Sequence, residues 1–369
     1  MSNKQIILHE RPTDAIDPSL TSGTFRLRTV PRPDNVPADK VLVRVHYLSL
    51  DPAMRQWLSA SRSYIAPVKI GAVMRGVSVS RVVVVGKDLA SKFQVGDWVS
   101  AYTGWQEYAV LGKDDVEKIA IPVGGRPTDV LSVLGLTGLT AYFGMIEIGQ
   151  PRPGDTVVVS GAAGATGMVA GQIAKIKGAK RVIGLAGTQD KCEFLVKELG
   201  FDVAINYKSP DWRKQLKAAT PDYINVYFDN VGGEILDACL ARAAPFSRFV
   251  MCGAISQYNT SKPKGPASYM NVIVSIPSDV YCLILIICQS QRVTMKGFIV
   301  FDFAEKYAAA REELSSWLAQ GKLARKDHIL TGGLESAPKA LVDLYAGANT
   351  GKMMVEVAPV NETERRAKL

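Results

Sequence analysis

The chain has no cysteine before Cys192 and only three histidines, His9, His46 and His328, spread widely over 369 residues. Its five cysteines are Cys192, Cys239, Cys252, Cys282 and Cys288, and no two stand as a C-x-x-C pair. No His/Cys spacing matches a zinc ligand set, so no metal site is expected. Nor is there a disulfide framework, and the thiols read as reduced core residues of a cytoplasmic protein. The N-terminus, MSNKQIILHERP, lacks the apolar run of a signal peptide. One strongly apolar stretch, residues 272–288, is broken by Ser-Ile-Pro-Ser-Asp. A membrane-spanning helix needs about 20 continuous apolar residues, so no membrane association is expected. The net charge of +9 is scattered, with no basic cluster interleaved with aromatics. That pattern excludes a nucleic-acid partner and suits solubility plus an anionic ligand.

What the chain does have is TVVVSGAAGATGMVAGQIAKIKG, residues 156–178. Thr156 to Ser160 is β-branched and apolar, as in a buried strand. Gly161, Gly164 and Gly167 follow at three-residue spacing, and a helical apolar pattern continues to Lys177. A strand, a glycine turn and a helix in this order aim the N–H groups of the first helical turn at a phosphate. Without a Cβ at Gly164 a pyrophosphate can approach the backbone, and Gly167 allows close helix–strand packing. The reading is a dinucleotide-binding turn.

The next strand selects the dinucleotide. An NAD site places Asp or Glu at the end of that strand, about 20 residues past the glycines. Here Arg181 to Leu185 runs into Gly187 and Thr188, and Asp190 falls inside the following helix with Lys191 beside it. Tyr207 and Lys208 follow the third strand. A missing acid with lysine and hydroxyls nearby suits the 2′-phosphate of NADP.

The chain length allows two domains. Residues up to about 131 read as β-rich, with apolar runs punctuated by Pro, Gly and Asp. From Thr156 strands and helices alternate, which argues for a doubly wound parallel sheet and an α/β class overall. The strands are TVVVS, RVIGLA, DVAINY, INVYFD and SRFVMCG. Near the C-terminus come an amphipathic stretch, DFAEKYAAAREELSSWLAQG, a shorter helix ending near Gly347, and the strand KMMVEV.

Eight segments in order carry a family resemblance: LSLDPAMRQW (48–57), VMRGVSVSRVV (73–83), GLTGLTAYFG (135–144), SGAAGATG (160–167), YFDNVGGEILD (227–237), CGAISQYN (252–259), MKGFIV (295–300) and NTGKMMVEV (349–357). On these the chain resembles the zinc-independent medium-chain dehydrogenase/reductases, specifically the alkenal double-bond reductase and prostaglandin reductase family. The resemblance implies a GroES-like β-rich catalytic domain from residues 1–131 and 302–369, with a Rossmann NADP-binding domain at 132–301. Zinc-dependent relatives carry a cysteine ligand where this chain has Asp51-Pro52. The implied activity is NADPH-dependent reduction of the conjugated C=C of an α,β-unsaturated aldehyde or ketone, in detoxification or secondary metabolism. The alternatives are a quinone reductase of the same fold and a catalytically idle NADPH-binding protein.

By position, the resemblance implies Tyr258 as hydrogen-bond donor or proton source toward the substrate's enolate oxygen, with Tyr64 second. Arg55 reads as structural, pairing with Asp51 or a neighbouring segment. Thr140, Gly164, Ala165, Thr166 and Gly167 are implied on the pyrophosphate and nicotinamide side. Gly187, Lys191 and Tyr207 are implied around the 2′-phosphate. Asn230, Cys252, Ser256, Phe298, Val300 and Asn349 complete the implied cofactor contacts. A small-molecule enone or enal and a second copy of the chain are the implied partners. The chain departs from the family at about 274–289, an apolar excess that reads as a genuine insert or a translated intron.

Overall fold

In the computed structural model, residues 1–61, 63–121, 124–260, 262 and 292–360 are described. The apolar excess at 274–289, with Cys282 and Cys288, lies outside them. The chain forms two compact units, residues 1–131 with 327–369, and residues 132–326.

The first unit is built from β1 (Ser2–Leu8), β2 (Phe25–Pro31), β3 (Lys40–Ser49), β4 (Ser78–Val85), β5 (Trp98–Ala101), β6 (Tyr108–Gly112) and β7 (Val116–Lys118). The second unit contributes β8 (Thr156–Ser160), β9 (Arg181–Ala186), β10 (Val203–Asn206), β11 (Ile224–Asp229), β12 (Ala243–Met251) and β13 (Thr294–Gly297). The chain then returns to the first unit with β14 (Asp327–Leu330) and β15 (Lys352–Glu356). There β15 pairs antiparallel with β3, matching Met354 to Ser49 and Glu356 to Tyr47. Strands from residues 40–118 and from residues 327–356 thus share one sheet, in the order β14-β15-β3-β4-β5-β7 with β6 also on β3, while β1 and β2 pair in a separate sheet.

The second unit is the doubly wound sheet. Its strand order is β10-β9-β8-β11-β12-β13, parallel throughout. A parallel sheet covered by helices is buried on both faces, which explains the unbroken apolar run of β8. Val157 and Val159 join the core under the helices Leu136–Phe143, Ala165–Ile176 and Tyr307–Ala319, while Val158 points to the opposite core with Tyr227 and Phe249. Each such valine contributes roughly 1.5–3 kcal/mol by leaving water.

Two sequence expectations differ in detail. The stretch from Asp302 is not one helix: 3₁₀ turns over Val300–Lys306 precede the α-helix Tyr307–Ala319. The chain rejoins the first unit at 327, not at 302. The cause is that helix, whose Ala310, Leu314 and Trp317 are buried in the core of the nucleotide-fold unit. Its Arg311 also donates to the Leu134 carbonyl at 3.2 Å.

Helix Ala165–Ile176 is buried along its middle, and Gly171 is what lets it dock. A Cβ there would stand 1.9 Å from Cζ of Phe201. Gly171→Ala is expected to destabilise the protein by about 1–3 kcal/mol through overpacking. That exceeds the roughly 1 kcal/mol of helix propensity the alanine gains. Urea unfolding followed by fluorescence measures it, and an unchanged midpoint would show that Phe201 has room to move.

Candidate nucleotide and catalytic site

The sheet reverses its winding at β8, between β9 and β11. In open parallel sheets the ligand crevice lies at the carboxyl ends of the strands beside that switch. Beyond Ser160 the chain turns at Gly161, whose φ of 56° is the left-handed region glycine tolerates. Gly164 precedes the first turn of the helix, and no side chain caps that end. The first-turn amides of Ala165, Thr166 and Gly167 are therefore directed at the crevice without an internal side-chain acceptor. A Cβ on Gly167 would lie 2.4 Å from the Gly161 carbonyl oxygen and 2.8 Å from Cα of Ala162. One on Gly164 would lie 3.2 Å from the same oxygen. This is a backbone cradle that side chains would fill, and it fits a pyrophosphate.

A second group gathers at the ends of β9 and β10. A Cβ at Gly187 would stand 2.9 Å from the Tyr207 hydroxyl and 3.5 Å from Cε of Lys208. A side chain at this strand end would press on the Tyr207 hydroxyl and stand in contact with Lys208. Thr188 caps the next helix, accepting from the Lys191 N–H at 3.4 Å. Burial lowers the pKa of the Lys191 ammonium, and the charge of Lys208 lowers it further. Burial raises that of the Tyr207 phenol. Two lysines and a phenol thus converge where NAD sites hold an acid, while Asp190 is exposed. Lys208 was visible in the sequence as the neighbour of Tyr207, but its convergence with Lys191 depends on the β9–β10 pairing.

The third group links β8, β11 and β12. Asn230 donates its Nδ2 proton to the Ser160 carbonyl at 2.7 Å, and its N–H to the Ser160 hydroxyl at 2.9 Å. Ser256 is exposed and its hydroxyl donates to the Val231 carbonyl at 2.6 Å. The Cys252 thiol is pushed up to about 12 by burial and the nearby Asp229 charge, which makes it inert as a nucleophile. Tyr258 ends a 3₁₀ turn, Ile255–Gln257, and folds back. Its hydroxyl oxygen accepts from the Ala254 N–H at 3.2 Å and lies 3.0 Å from where a Gly253 Cβ would be.

The remaining candidates stand apart. The Thr140 hydroxyl is used within its own helix, donating to the Leu136 carbonyl at 2.6 Å. Phe298 and Val300 pack against the edge of the core, Phe298 near Gly144 and 6.4 Å from the Phe303 ring. Tyr64 and Asn349 belong to the other unit. Tyr64 is exposed, and Asn349 is buried, donating to the Gly351 carbonyl at 2.6 Å. Arg55 is held by a neighbouring segment, with Nη2 within 3.0–3.4 Å of the carbonyls of Pro12, Thr13 and Asp14. Asp51 pairs instead with the buried Lys352 ammonium and accepts from the Ser49 hydroxyl at 2.5 Å. His46 is buried against Trp98, its Nδ1 3.1 Å from the Ala358 carbonyl. Among the described residues no group of three or more His, Cys, Asp or Glu could hold a metal ion.

These features define a dinucleotide-binding α/β oxidoreductase fold. Residues 4–119 match the N-terminal domain of oxidoreductase, and residues 165–315 the family described as zinc-binding dehydrogenase. The chain is 38% identical to the NADPH-dependent curcumin reductase of Escherichia coli, over 96% of this chain and 97% of that one. It is 36% identical to the NADP(+)-dependent 2-alkenal reductase of Nicotiana tabacum, over 97% and 98%. CurA of Vibrio vulnificus, solved in complex with NADPH, superposes with a TM-score of 0.81 at 38% identity, over 97% of this chain and all of that one. The chain belongs to the zinc-independent medium-chain dehydrogenase/reductase family of alkenal, curcumin and prostaglandin reductases.

Sequence reasoning passed over Asp229, whose Oδ1 gathers four donors beside the turn. It is fully buried, and burial raises its pKa above the usual carboxylate range, against the hydrogen bonds that pull it down. Burial also raises the pKa values of Tyr227, Cys239 and Cys252, so these neighbours stay neutral while Asp229 titrates. The sign follows: a raised native pKa means the folded state binds the proton more tightly than the unfolded chain. Its stabilising contribution is full below the ordinary carboxylate range and is lost as pH rises through the raised value. Stability measured relative to Asp229→Asn should therefore fall as pH climbs from about 4 and level off above the native pKa. Equilibrium unfolding of both proteins at several pH values tests it; a difference that grows with pH contradicts it.

Proposed function

We propose that this protein is an NADPH-dependent reductase of the conjugated C=C bond of α,β-unsaturated aldehydes and ketones. The observation that carries the cofactor choice is the strand end at Gly187, where Tyr207, Lys208 and Lys191 occupy the ground of an NAD-selecting acid. The names of the curcumin and alkenal reductases to which the chain is similar support both the cofactor and the bond. Gly164, Ala165, Thr166 and Gly167 would hold the pyrophosphate through backbone N–H groups. Lys191, Tyr207 and Lys208 would hold the 2′-phosphate, and Asn230, Cys252 and Ser256 would border the riboses and nicotinamide. Thr140, Phe298, Val300 and Asn349 complete the proposed cofactor contacts.

When bound, NADPH supplies a hydride for the substrate's β-carbon. The chain's own task is then electrostatic: negative charge grows on the substrate's carbonyl oxygen and needs a donor. Tyr258 is the proposed donor, because its phenol stands at the end of β12 beside Asn230 and Gly253. Tyr64 is the second candidate. The same reading includes a homodimer, for which β13 ends the sheet with one edge unpaired among the described residues. It also includes a cytoplasmic location, for which the free thiols Cys192, Cys239 and Cys252 are suited.

NADPH oxidation with a simple enone, with a quinone and with neither separates the enone reductase from a quinone reductase and from an idle binder. Turnover on the enone is expected; turnover only on the quinone, or on neither, overturns the proposal. Lys191→Ala should weaken NADPH binding by about 1–3 kcal/mol and leave NADH nearly unchanged. Equal loss for both cofactors would remove Lys191 from the 2′-phosphate. Tyr258→Phe should lower kcat on an enone by roughly 10- to 1000-fold with little change in NADPH affinity. Wild-type turnover in Tyr258→Phe together with loss in Tyr64→Phe would exchange the two roles.

A further inference from the structure

Asp229, at the end of β11, ties that strand end to the end of β8 and to the turn that follows β11. Its Oδ1 accepts from the Ser160 hydroxyl at 2.9 Å, the Tyr227 hydroxyl at 2.8 Å, the Val231 N–H at 3.0 Å and the Gly232 N–H at 2.9 Å. Its main-chain carbonyl accepts from Cys252 at 3.0 Å and Gly253 at 2.9 Å. The next two carbonyls continue the seam: Asn230 accepts from Ile255, and Val231 from Ser256, both at 3.2 Å. Segment 252–256 therefore hangs from segment 229–231, and Tyr258 folds back onto the Ala254 N–H of that hung segment.

The chemistry of this knot is odd for a purely structural device. Oδ2 is buried and has no hydrogen-bond partner among the described residues. A buried carboxyl with one bare oxygen is a poor way to gain stability. What it gives instead is direction, because charge-assisted bonds to one acceptor are roughly twice as strong as neutral ones and fix the donors around a point. The donors here are the N–H groups of the turn that carries Asn230, and the hydroxyl that binds the Asn230 N–H. Gly232, with φ of 70°, gives the turn the backbone freedom to close on that point.

We infer that Asp229 is the positioning residue for Tyr258, acting through the 229–232 turn and the segment 252–256 that it suspends. The inference rests on the proposed role of Tyr258, so the test has one arm that does not depend on activity. In that arm, Tyr258 is nitrated with tetranitromethane in the cofactor-free protein, and peptide mass spectrometry compares wild type with Asp229→Asn. The nitration rate at Tyr258 should change at least about threefold, while the exposed Tyr223 serves as the unchanged control. In the second arm, kcat on an enone is measured across a cycle of Asp229→Asn and Tyr258→Phe. Asp229→Asn alone should lose about 10- to 100-fold, and less than about threefold when Tyr258 is already Phe.

Unchanged nitration at Tyr258 overturns the inference, and so does a loss that persists in full in the Phe background. If nitration shifts while Tyr258→Phe keeps wild-type turnover, Asp229 still positions the phenol and it is the catalytic reading of Tyr258 that falls. Should Asp229→Asn not be recovered folded, Tyr227→Phe removes one donor from Oδ1 at nearly constant volume. It is read in both arms, where a change of at least about twofold supports the inference and none overturns it.

Discussion

No side chain can stand between Gly161 and Gly167, and the rest of the nucleotide-fold unit depends on that contact. With a Cβ at Gly167 only 2.4 Å from the Gly161 oxygen, helix Ala165–Ile176 would have to lift from the sheet. Lifting it would open the packing of Met168, Val169 and Ile173 on Val157 and Val159, all of which are fully buried. It would also swing the uncapped helix N-terminus off the end of β8, and with it the amides proposed to meet the pyrophosphate. Packing and binding are the same geometric demand at this point. A helix docked this closely can only be entered by a turn without side chains, and such a turn is also what an anion can approach.

The same economy explains what could be read in the sequence. The alternation of strands and helices, the apolar run of β8 and the glycine turn are local patterns, and each survives in the structure with boundaries shifted by a few residues. The missing acid at Gly187 was equally local. What was not legible depends on contacts between distant segments. The helix Tyr307–Ala319 has a helical pattern that says nothing about which core it joins, and only the fold assigns it to the unit of residues 132–326. Lys208 looks like any exposed lysine until β10 pairs with β9 and brings it toward Lys191. Asp229 reads as a strand-end polar residue. Its weight comes from Ser160, 69 positions earlier, and from amides just beyond it. For Arg55 the sequence allows either Asp51 or a neighbouring segment as partner, and the carbonyls of residues 12–14 decide it.

Charge is handled in two opposite ways in the two units. Lys191 and Lys208 are brought together, and burial and then the charge of Lys208 disfavour the charged form of Lys191. That is unfavourable for the protein alone and is relieved by a doubly charged anion, so the net charge of +9 acts locally as well as in bulk. Lys352 shows the reverse. It is buried to 1% exposure and is satisfied by Asp51 and by the Leu50 carbonyl at 3.0 Å. A buried ammonium is tolerated only with such partners.

That second arrangement bears on the chemistry. Asp51 is where the family resemblance implies a ligand in zinc-dependent relatives, and its carboxylate is engaged by the Lys352 ammonium and the Ser49 hydroxyl. A divalent cation bound there would have to displace Lys352 or sit beside its positive charge in a poorly hydrated place. Either demand opposes the Lewis-acid polarisation that oxidation of a simple alcohol uses. A conjugated carbonyl asks for less, because hydride arriving at the β-carbon leaves its charge spread from the α-carbon to oxygen. Hydrogen-bond donors held in place can meet that smaller demand. The phenol of Tyr258, folded back onto the Ala254 N–H, is the donor we propose for that role, and its value there would lie in being oriented before charge develops.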